Sequence, residues 1–101
     1  MSKWADYLIS AVRYNQSHSH IDRVKVHVDN GESVGAATDT MRRDVIDALK
    51  SGKTFVSIIK NAQGSWNKGQ TVYIVTIKGT EYIKTVDNGK ESDNLENLPE
   101  Y

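Results

Sequence analysis

The residues best suited to ligand recognition lie in the polar segment 87–101, which is rich in carboxylates and carboxamides. An asparagine offers a donor and an acceptor together, and an aspartate accepts from hydroxyls or amines. If Leu95 and Leu98 anchor the segment, Asp93 and Asn94 are placed to read the ribose or base edges of a small ligand. The alternative is a strap that covers a sheet edge and is held by turns of the kind that Asn and Asp favour.

Basic and aromatic residues elsewhere supply the other parts of a possible ligand site. The alternating pattern of residues 21–28 places Arg23 and Lys25 on one face of a strand, where they would hold phosphate. Trp66, in a stretch of Gly, Asn and Lys, and Tyr82, in the last strand, would stack on a base. A solvated sheet face for the cations and core positions for the rings stay open as alternatives.

The chain carries no arrangement of residues typical of catalysis. It has no cysteine, which excludes disulfides, thiolate chemistry and cysteine-bound zinc. His18, His20 and His27 follow no spacing that selects a metal, and a polar loop followed by a solvated strand face explains them better. Residues 31–35 contain glycines without a phosphate-loop lysine or a dinucleotide fingerprint, and no serine elbow occurs. We therefore expect a protein that is not an enzyme and uses no metal or cofactor.

The charge balance argues against non-specific nucleic-acid binding, because 13 basic and 13 acidic residues give a net charge of zero. The balance is uneven along the chain. Residues 87–101 hold five acidic residues and one lysine, a net charge of −4, whereas the other 86 residues carry +4. A basic body with an acidic tail can offer an anion site that the tail flanks or shields.

Length and hydropathy indicate one domain over residues 1–101 with an extended acidic segment at 87–101. The mean hydropathy is −0.57, and no apolar run approaches membrane-spanning length. The first residues lack the apolar stretch of a signal peptide. Together with the absence of cysteine, these features predict a cytoplasmic protein that binds no membrane.

The hydrophobic pattern predicts an α+β fold in which an antiparallel sheet of five or six strands packs on a single helix. The expected helix covers residues 40–51, with N-cap chemistry from Thr38-Asp39-Thr40 and an end at Gly52. The expected strands and turns are 6–14, 21–28 with a turn at 29–31, a short strand around 32–35, 54–59, a loop at 61–69, and a hairpin of 71–77 and 80–86 around Lys78-Gly79.

Several stretches resemble a bacterial and phage family known as domain of unknown function 3892. The resemblance spans nearly the whole chain, and its most specific motif is the terminal D-N-L-x-N-L-P of residues 93–99. The other matching stretches are 7–14, 21–27, the helix segment 42–46 with 52–53, 69–72 and 82–85. The family name implies no activity.

A looser similarity of layout connects the chain with phage anti-Thoeris proteins, which sequester nucleotide signals without cleaving them. That similarity implies a non-enzymatic sponge for a cyclic ADP-ribose-like signal, with Arg23, Lys25, Trp66, Tyr82, Asp93 and Asn94 as its ligand-binding residues. The alternative is a protein–protein adaptor or inhibitor that acts through its sheet edge or its C-terminal tail.

We also expect a homodimer. One helix covers only one face of a sheet, so the other face or an edge strand stays available for a second copy. Two-fold symmetry is the commonest arrangement of homo-oligomers. In such a dimer the ligand sites would lie near the interface.

Overall fold

The structure, a computed structural model, describes residues 4–16, 20–31, 33–85 and 98–101. Its elements are β1 (Tyr7–Tyr14), β2 (Ile21–Val28), β3 (Thr38–Met41), α1 (Arg42–Lys50), β4 (Phe55–Lys60), β5 (Trp66–Ile77) and β6 (Thr80–Lys84). The strands form one sheet in the order β3-β2-β1-β4-β5-β6. The predicted α+β class, with about six strands and one helix, is therefore confirmed for the described residues.

The sheet is mixed, so the prediction of a purely antiparallel sheet was wrong. β1 and β4 run parallel where Tyr7–Ile9 meets Phe55–Ser57, and the other neighbours are antiparallel. β1, β2 and β3 form a meander, after which α1 carries the chain back to the end of the sheet where β1 began. Because a crossover of this kind restores the strand direction, β4 enters beside β1 and parallel to it.

The third strand lies later in the sequence than predicted. A strand was expected around 32–35, but β3 comprises Thr38–Met41 and pairs with β2. The segment 38–40, predicted to cap the helix, therefore contributes to the sheet, where β-branched threonines fit well. The helix begins at Arg42 without a side-chain capping bond.

Trp66 is the first residue of β5, so the prediction that it lies in a loop was wrong. A compact turn built on Asn61 precedes it: the Asn61 side-chain oxygen accepts from the backbone nitrogens of Gln63 and Ser65, each at 3.0 Å. The turn closes within five residues, so β5 starts at Trp66 and pairs with Lys60 of β4. The second hairpin is confirmed at Lys78-Gly79, where φ angles of 51° and 81° indicate a type I′ turn.

The two faces of the sheet differ in what covers them. On the helix face, α1 contributes Val45 and Ile46 to the main core, which otherwise contains Ile9, Val12, Ile21, Val24, Val26, Phe55, Val72 and Ile83. We call the other side the open face. It has a smaller cluster, Ala5, Leu8, Val56 and Ile58, onto which Trp4, Val34 and Trp66 pack.

A bulge in β1 controls which side chains reach the open face. Ile9 pairs with Val26 and Ala11 with Lys25, so Ser10 is the extra residue of the bulged strand. Leu8 precedes the bulge on the open face, Ser10 lies in it, and Ala11 and Arg13 follow it on the same face. The bulge thus lets Ser10 and Arg13 both point to the open face, while Ile9 and Val12 both point into the main core.

The segment 98–101 docks against β1 beyond the point where β4 separates from it. The Val12 nitrogen donates to the Pro99 carbonyl at 2.9 Å, and the Tyr101 nitrogen donates to the Val12 carbonyl at 3.0 Å. Leu98 packs against the main core, as its anchoring role predicts. Of the tail residues singled out from the sequence, Leu95, Asp93 and Asn94 lie outside the described residues.

Candidate functional site

A cavity of about 250 Å³ opens on the open face beside the loop that joins β2 to β3. It contains both tryptophans of the chain. We call it the tryptophan cavity, and its lining residues are Trp4, Leu8, Asp29, Gly31, Ser33, Val34, Ser65 and Trp66. Two indoles facing one space favour a flat, apolar ligand group, and the serines and the glycine backbone supply polar edges.

Asp29 fixes the wall of this cavity through its buried carboxylate. Oδ2 accepts from the backbone nitrogens of Trp4 at 2.7 Å and Ala5 at 3.3 Å, and Oδ1 accepts from that of Gly31 at 2.8 Å. These bonds tie the stretch before β1 to the predicted 29–31 turn. A carboxylate that accepts several backbone N–H groups is well compensated for its burial, so Asp29 acts here as a structural acceptor.

His27 lies beneath the cavity wall and links two strands with the connection between β2 and β3. Its Nδ1 is 2.8 Å from the Gly35 carbonyl oxygen, and its Nε2 is 2.7 Å from Ser10 Oγ. Because a carbonyl oxygen only accepts, the neutral ring carries its proton on Nδ1, and the Ser10 hydroxyl donates to Nε2. Gly35 allows this approach, since an added Cβ would lie 3.1 Å from the Val28 carbonyl oxygen.

This serine–histidine pair has the hydrogen bond that an activated serine nucleophile requires, but its surroundings favour a structural role. Ser10 and His27 are only 7% and 6% exposed, and neither lines the cavity. The prediction of a solvated strand face at His27 was therefore wrong. Two of the residues that contact the His27 ring, Trp66 and Gly35, lie outside its own strand, so strand alternation alone gave no sign of them.

Trp66 stands between the buried pair and a cationic rim. Its ring centroid is 5.8 Å from that of His27. The Nζ atom of Lys60, a residue of β4, lies 5.3 Å from the indole centroid. Lys68, two residues after Trp66 on β5, projects from the same face. Neither lysine forms an ion pair with any described residue, and both charges lie beside the cavity.

A second group of cations occupies the other end of the open face. Arg13 and Arg23 are direct cross-strand partners, and Lys25 follows two residues along β2. We call these three residues the basic cluster. Asp39 of β3 lies opposite Lys25, and its Oδ2 is 3.2 Å from Arg23 Nη1. The structure thus places the predicted phosphate ligands, Arg23 and Lys25, on one face, together with an arginine that the sequence analysis did not select for the site.

Tyr101 covers part of the basic cluster. Its hydroxyl donates to Asp39 Oδ1 at 2.6 Å, and Lys25 Nζ lies 4.9 Å from its ring centroid. Burial and the hydrogen bond to Asp39 raise the pKa of Tyr101 to about 12, although the charges of Arg23 and Arg13 oppose this rise. The phenol is therefore a neutral donor across the physiological pH range.

The structure places Tyr82 away from both regions. Tyr82 is buried and stacks on His20 at 5.4 Å with a 2° angle between the rings. Its predicted stacking role stays a prediction, whereas Trp66 does line a cavity. Sequence reasoning missed Trp4 and Asp29 as site residues, although the predicted turn at 29–31 is a signal that the chain folds back at that point.

Two general properties of the described ranges bear on function. No three His, Asp or Glu side chains in them approach closely enough to hold a metal ion. No helix there has the length and apolar character needed to cross a membrane.

The described residues define a small α+β fold with a mixed sheet, one helix and an aromatic cavity on the open face. The chain belongs to the family described as "Protein of unknown function (DUF3892)", whose model matches residues 8–99. No curated protein and no solved structure matches the chain. The resemblance in layout to nucleotide-sequestering phage proteins stays a prediction.

Proposed function

We propose that the protein binds a small anionic ligand of nucleotide type without chemically changing it, and that the tryptophan cavity takes the base. The observation that carries this proposal is the presence of both tryptophans at one cavity with Lys60 against the Trp66 ring. Base stacking on an aromatic side chain is worth about 1–3 kcal/mol and tolerates different bases.

The size of the cavity favours one ring system and not a whole dinucleotide. Its volume of about 250 Å³ is close to the lower end of the roughly 300–1,000 Å³ typical of small-molecule sites. The sugar and phosphates of a larger ligand would therefore lie outside it, on the open face. Gly31, Ser33 and Ser65 at the rim supply the polar groups that orient a base edge.

The open face supplies cations along the path that such phosphates would follow. Lys60 stands beside Trp66 on the neighbouring strand β4, and Lys68 follows Trp66 two residues later on β5. Along β2, Lys25 lies about 7 Å and Arg23 about 13 Å beyond His27, given a rise of roughly 3.3 Å per residue. This spacing suits a ligand with its base at Trp66 and its phosphates at the basic cluster, such as a cyclic ADP-ribose-like signal. The proposed role of Asp93 and Asn94 at the ribose or base stays a prediction.

Tryptophan fluorescence tests this proposal directly, because all of the chain's tryptophan emission arises at the cavity. Titration with nucleotides, including ADP-ribose-type compounds, is expected to quench the emission saturably, whereas ribose phosphate without a base is not. Trp66→Leu is expected to abolish binding, and Tyr73→Leu, at an exposed tyrosine of β5, is the matched control. At a hundred times Kd, a ligand stabilises the fold by about 2.7 kcal/mol, which thermal shift detects. If no nucleotide changes the emission or the melting temperature, the proposal is wrong.

A second candidate function is that of a protein–protein adaptor or inhibitor acting through the sheet edge or the tail. It is favoured by the exposed apolar side chain of Met41, 52% exposed on the edge strand β3. A partner captured by wild-type protein and by Trp66→Leu, but lost with Met41→Asp, would support this function. Retention of the partner by Met41→Asp would contradict an interface at this edge.

The proposed homodimer is tested by light scattering of the purified chain, whose monomer mass is 11.3 kDa. We expect a mass near twice that value at high micromolar concentration. A strict monomer would contradict the dimer and would require each ligand site to lie within one chain.

A further inference from the structure

We propose that the basic cluster is a phosphoryl-binding site that the segment 98–101 closes, and that an incoming phosphoryl group opens it by displacing Tyr101. The inference deepens the proposed function, on which it rests for the nucleotide nature of the ligand. It adds Arg13 as a ligand of the phosphoryl group, and Asp39 and Tyr101 as the groups that hold the site closed.

The charges of the basic cluster are incompletely balanced. Arg13 and Arg23 are directly opposite on neighbouring strands, an arrangement that like charges disfavour. Asp39 binds Arg23, but Arg13 and Lys25 form no ion pair within the described residues. Among the described residues, three cations therefore face one bound carboxylate. A phosphoryl group brings two negative charges and several acceptor oxygens, which match the excess, and arginines can bind it through two parallel hydrogen bonds.

Tyr101 occupies this site without neutralising it. Its phenol is uncharged, since burial and the Asp39 hydrogen bond raise its pKa to about 12. Its ring lies below Lys25 and its hydroxyl engages the carboxylate that holds Arg23. Displacement of Tyr101 would thus release a lysine from an aromatic contact and leave Asp39 with one partner fewer. The first change frees Lys25 for an anion, and the second is a cost that the incoming phosphoryl group must offset.

The segment that carries Tyr101 is exposed near its end. Its backbone makes two hydrogen bonds to Val12, and Tyr101 itself remains 40% exposed. Leu98 anchors the segment in the main core three residues earlier. The Leu98 anchor allows residues 99–101 to detach locally while the core contact stays in place. Exposed backbone bonds and low burial are the features of segments that open at small cost.

Binding of pyrophosphate, measured by calorimetry at low salt, tests the site without the base. Arg13→Gln is expected to weaken binding at least tenfold. Arg43→Gln, at an exposed arginine of α1, is the matched control and should bind as wild type does. Tyr101→Phe removes the bond to Asp39 and keeps the ring, so we expect tighter binding, by up to about tenfold, the factor that one hydrogen bond can supply.

Two outcomes would overturn the inference: unchanged binding by Arg13→Gln, or binding by Tyr101→Phe that is equal to or weaker than that of wild type. Tryptophan fluorescence separates this failure from failure of the proposed function. If nucleotides leave the emission unchanged while pyrophosphate behaves as expected, the proposed function is wrong and the closed phosphoryl site stands. If nucleotides quench the emission but both variants bind pyrophosphate as wild type does, the cavity function stands and the closure is wrong.

Discussion

The two ends of the open face differ in how their polar side chains are accommodated. At the tryptophan cavity, Asp29, His27 and Ser10 are buried, and each is hydrogen-bonded to backbone or to another of these side chains. At the basic cluster, the side chains of Arg23 and Asp39 are 42% and 52% exposed, and the cations outnumber the described carboxylate they face.

This difference gives the tryptophan cavity a fixed shape and leaves the side chains of the basic cluster free to change their arrangement. Buried hydrogen bonds with satisfied partners hold a wall in one geometry, because each alternative leaves a polar group unpaired. Half-exposed charges are screened by water and salt, so their arrangement changes at little cost. We therefore expect shape selection at the cavity and charge attraction at the basic cluster. The predictions below test this contrast, beginning with the largest effect.

Asp29→Ala is expected to cause the largest loss of stability at the cavity end. The substitution leaves the backbone nitrogens of Trp4, Ala5 and Gly31 without their acceptor. Each unpaired buried donor costs about 1–3 kcal/mol, so we expect a loss of about 3 kcal/mol or more in the free energy of unfolding. Urea denaturation measures it. Asp47→Ala, at an exposed position of α1, is the control and should change stability by no more than about 0.5 kcal/mol. A similarly small loss for Asp29→Ala would show that the wall is not held by this carboxylate.

Ser10→Ala is expected to have the next largest effect, a loss of about 1–2 kcal/mol. It removes the donor to His27 Nε2 and leaves that nitrogen buried without its recorded partner. Because His27 contacts Trp66, the same variant should shift the tryptophan emission spectrum. Ser51→Ala, at an exposed serine that follows α1, should change neither quantity appreciably. A stability loss without a spectral shift would mean that the pair supports the sheet but not the cavity wall.

The sequence predicts the local elements well because their signals are local. Alternating apolar residues locate β1 and β2, the Lys78-Gly79 pair locates the last hairpin, and helical spacing with Gly52 locates the end of α1. The parallel contact of β1 with β4 has no local signal. It follows from the crossover through α1, which brings β4 back beside β1 and not beside β3.

The site is less predictable than the fold because its parts come together only in three dimensions. Arg23 and Lys25 share a face as strand alternation predicts, yet the same alternation wrongly predicts a solvated His27. Trp66 was selected for its polar neighbours, which suggested a loop, and it lines a cavity from the start of a strand. Tyr101 reaches the basic cluster because its segment docks on β1, a long-range contact that composition does not reveal.

Arg13→Gln is expected to increase stability slightly, whereas the two substitutions at the cavity end decrease it. A small gain would show that the arrangement of charges at the basic cluster is adjustable. Removing one of two opposed arginines relieves repulsion, so we expect a gain of a few tenths of a kcal/mol at low salt. Screening should remove this gain as the ionic strength rises towards about 1 M, where the Debye length is about 3 Å. Urea denaturation at two salt concentrations measures it, with Arg43→Gln as the control. A salt-independent loss of stability would indicate that Arg13 is part of a fixed network.

Tyr101 should give a stabilisation that is lost only at high pH. Its pKa in the folded protein is raised to about 12, above the value of about 10 that is usual for tyrosine. The stabilisation from its protonated hydroxyl is therefore fully present below about pH 10 and is lost as the pH rises through 12. The difference in tyrosinate absorbance between wild type and Tyr101→Phe should titrate near pH 12, and the stability advantage of wild type should shrink between pH 10 and 12. A difference that titrates near pH 10 would mean that Tyr101 is not held on Asp39, and that the basic cluster is open in the absence of ligand.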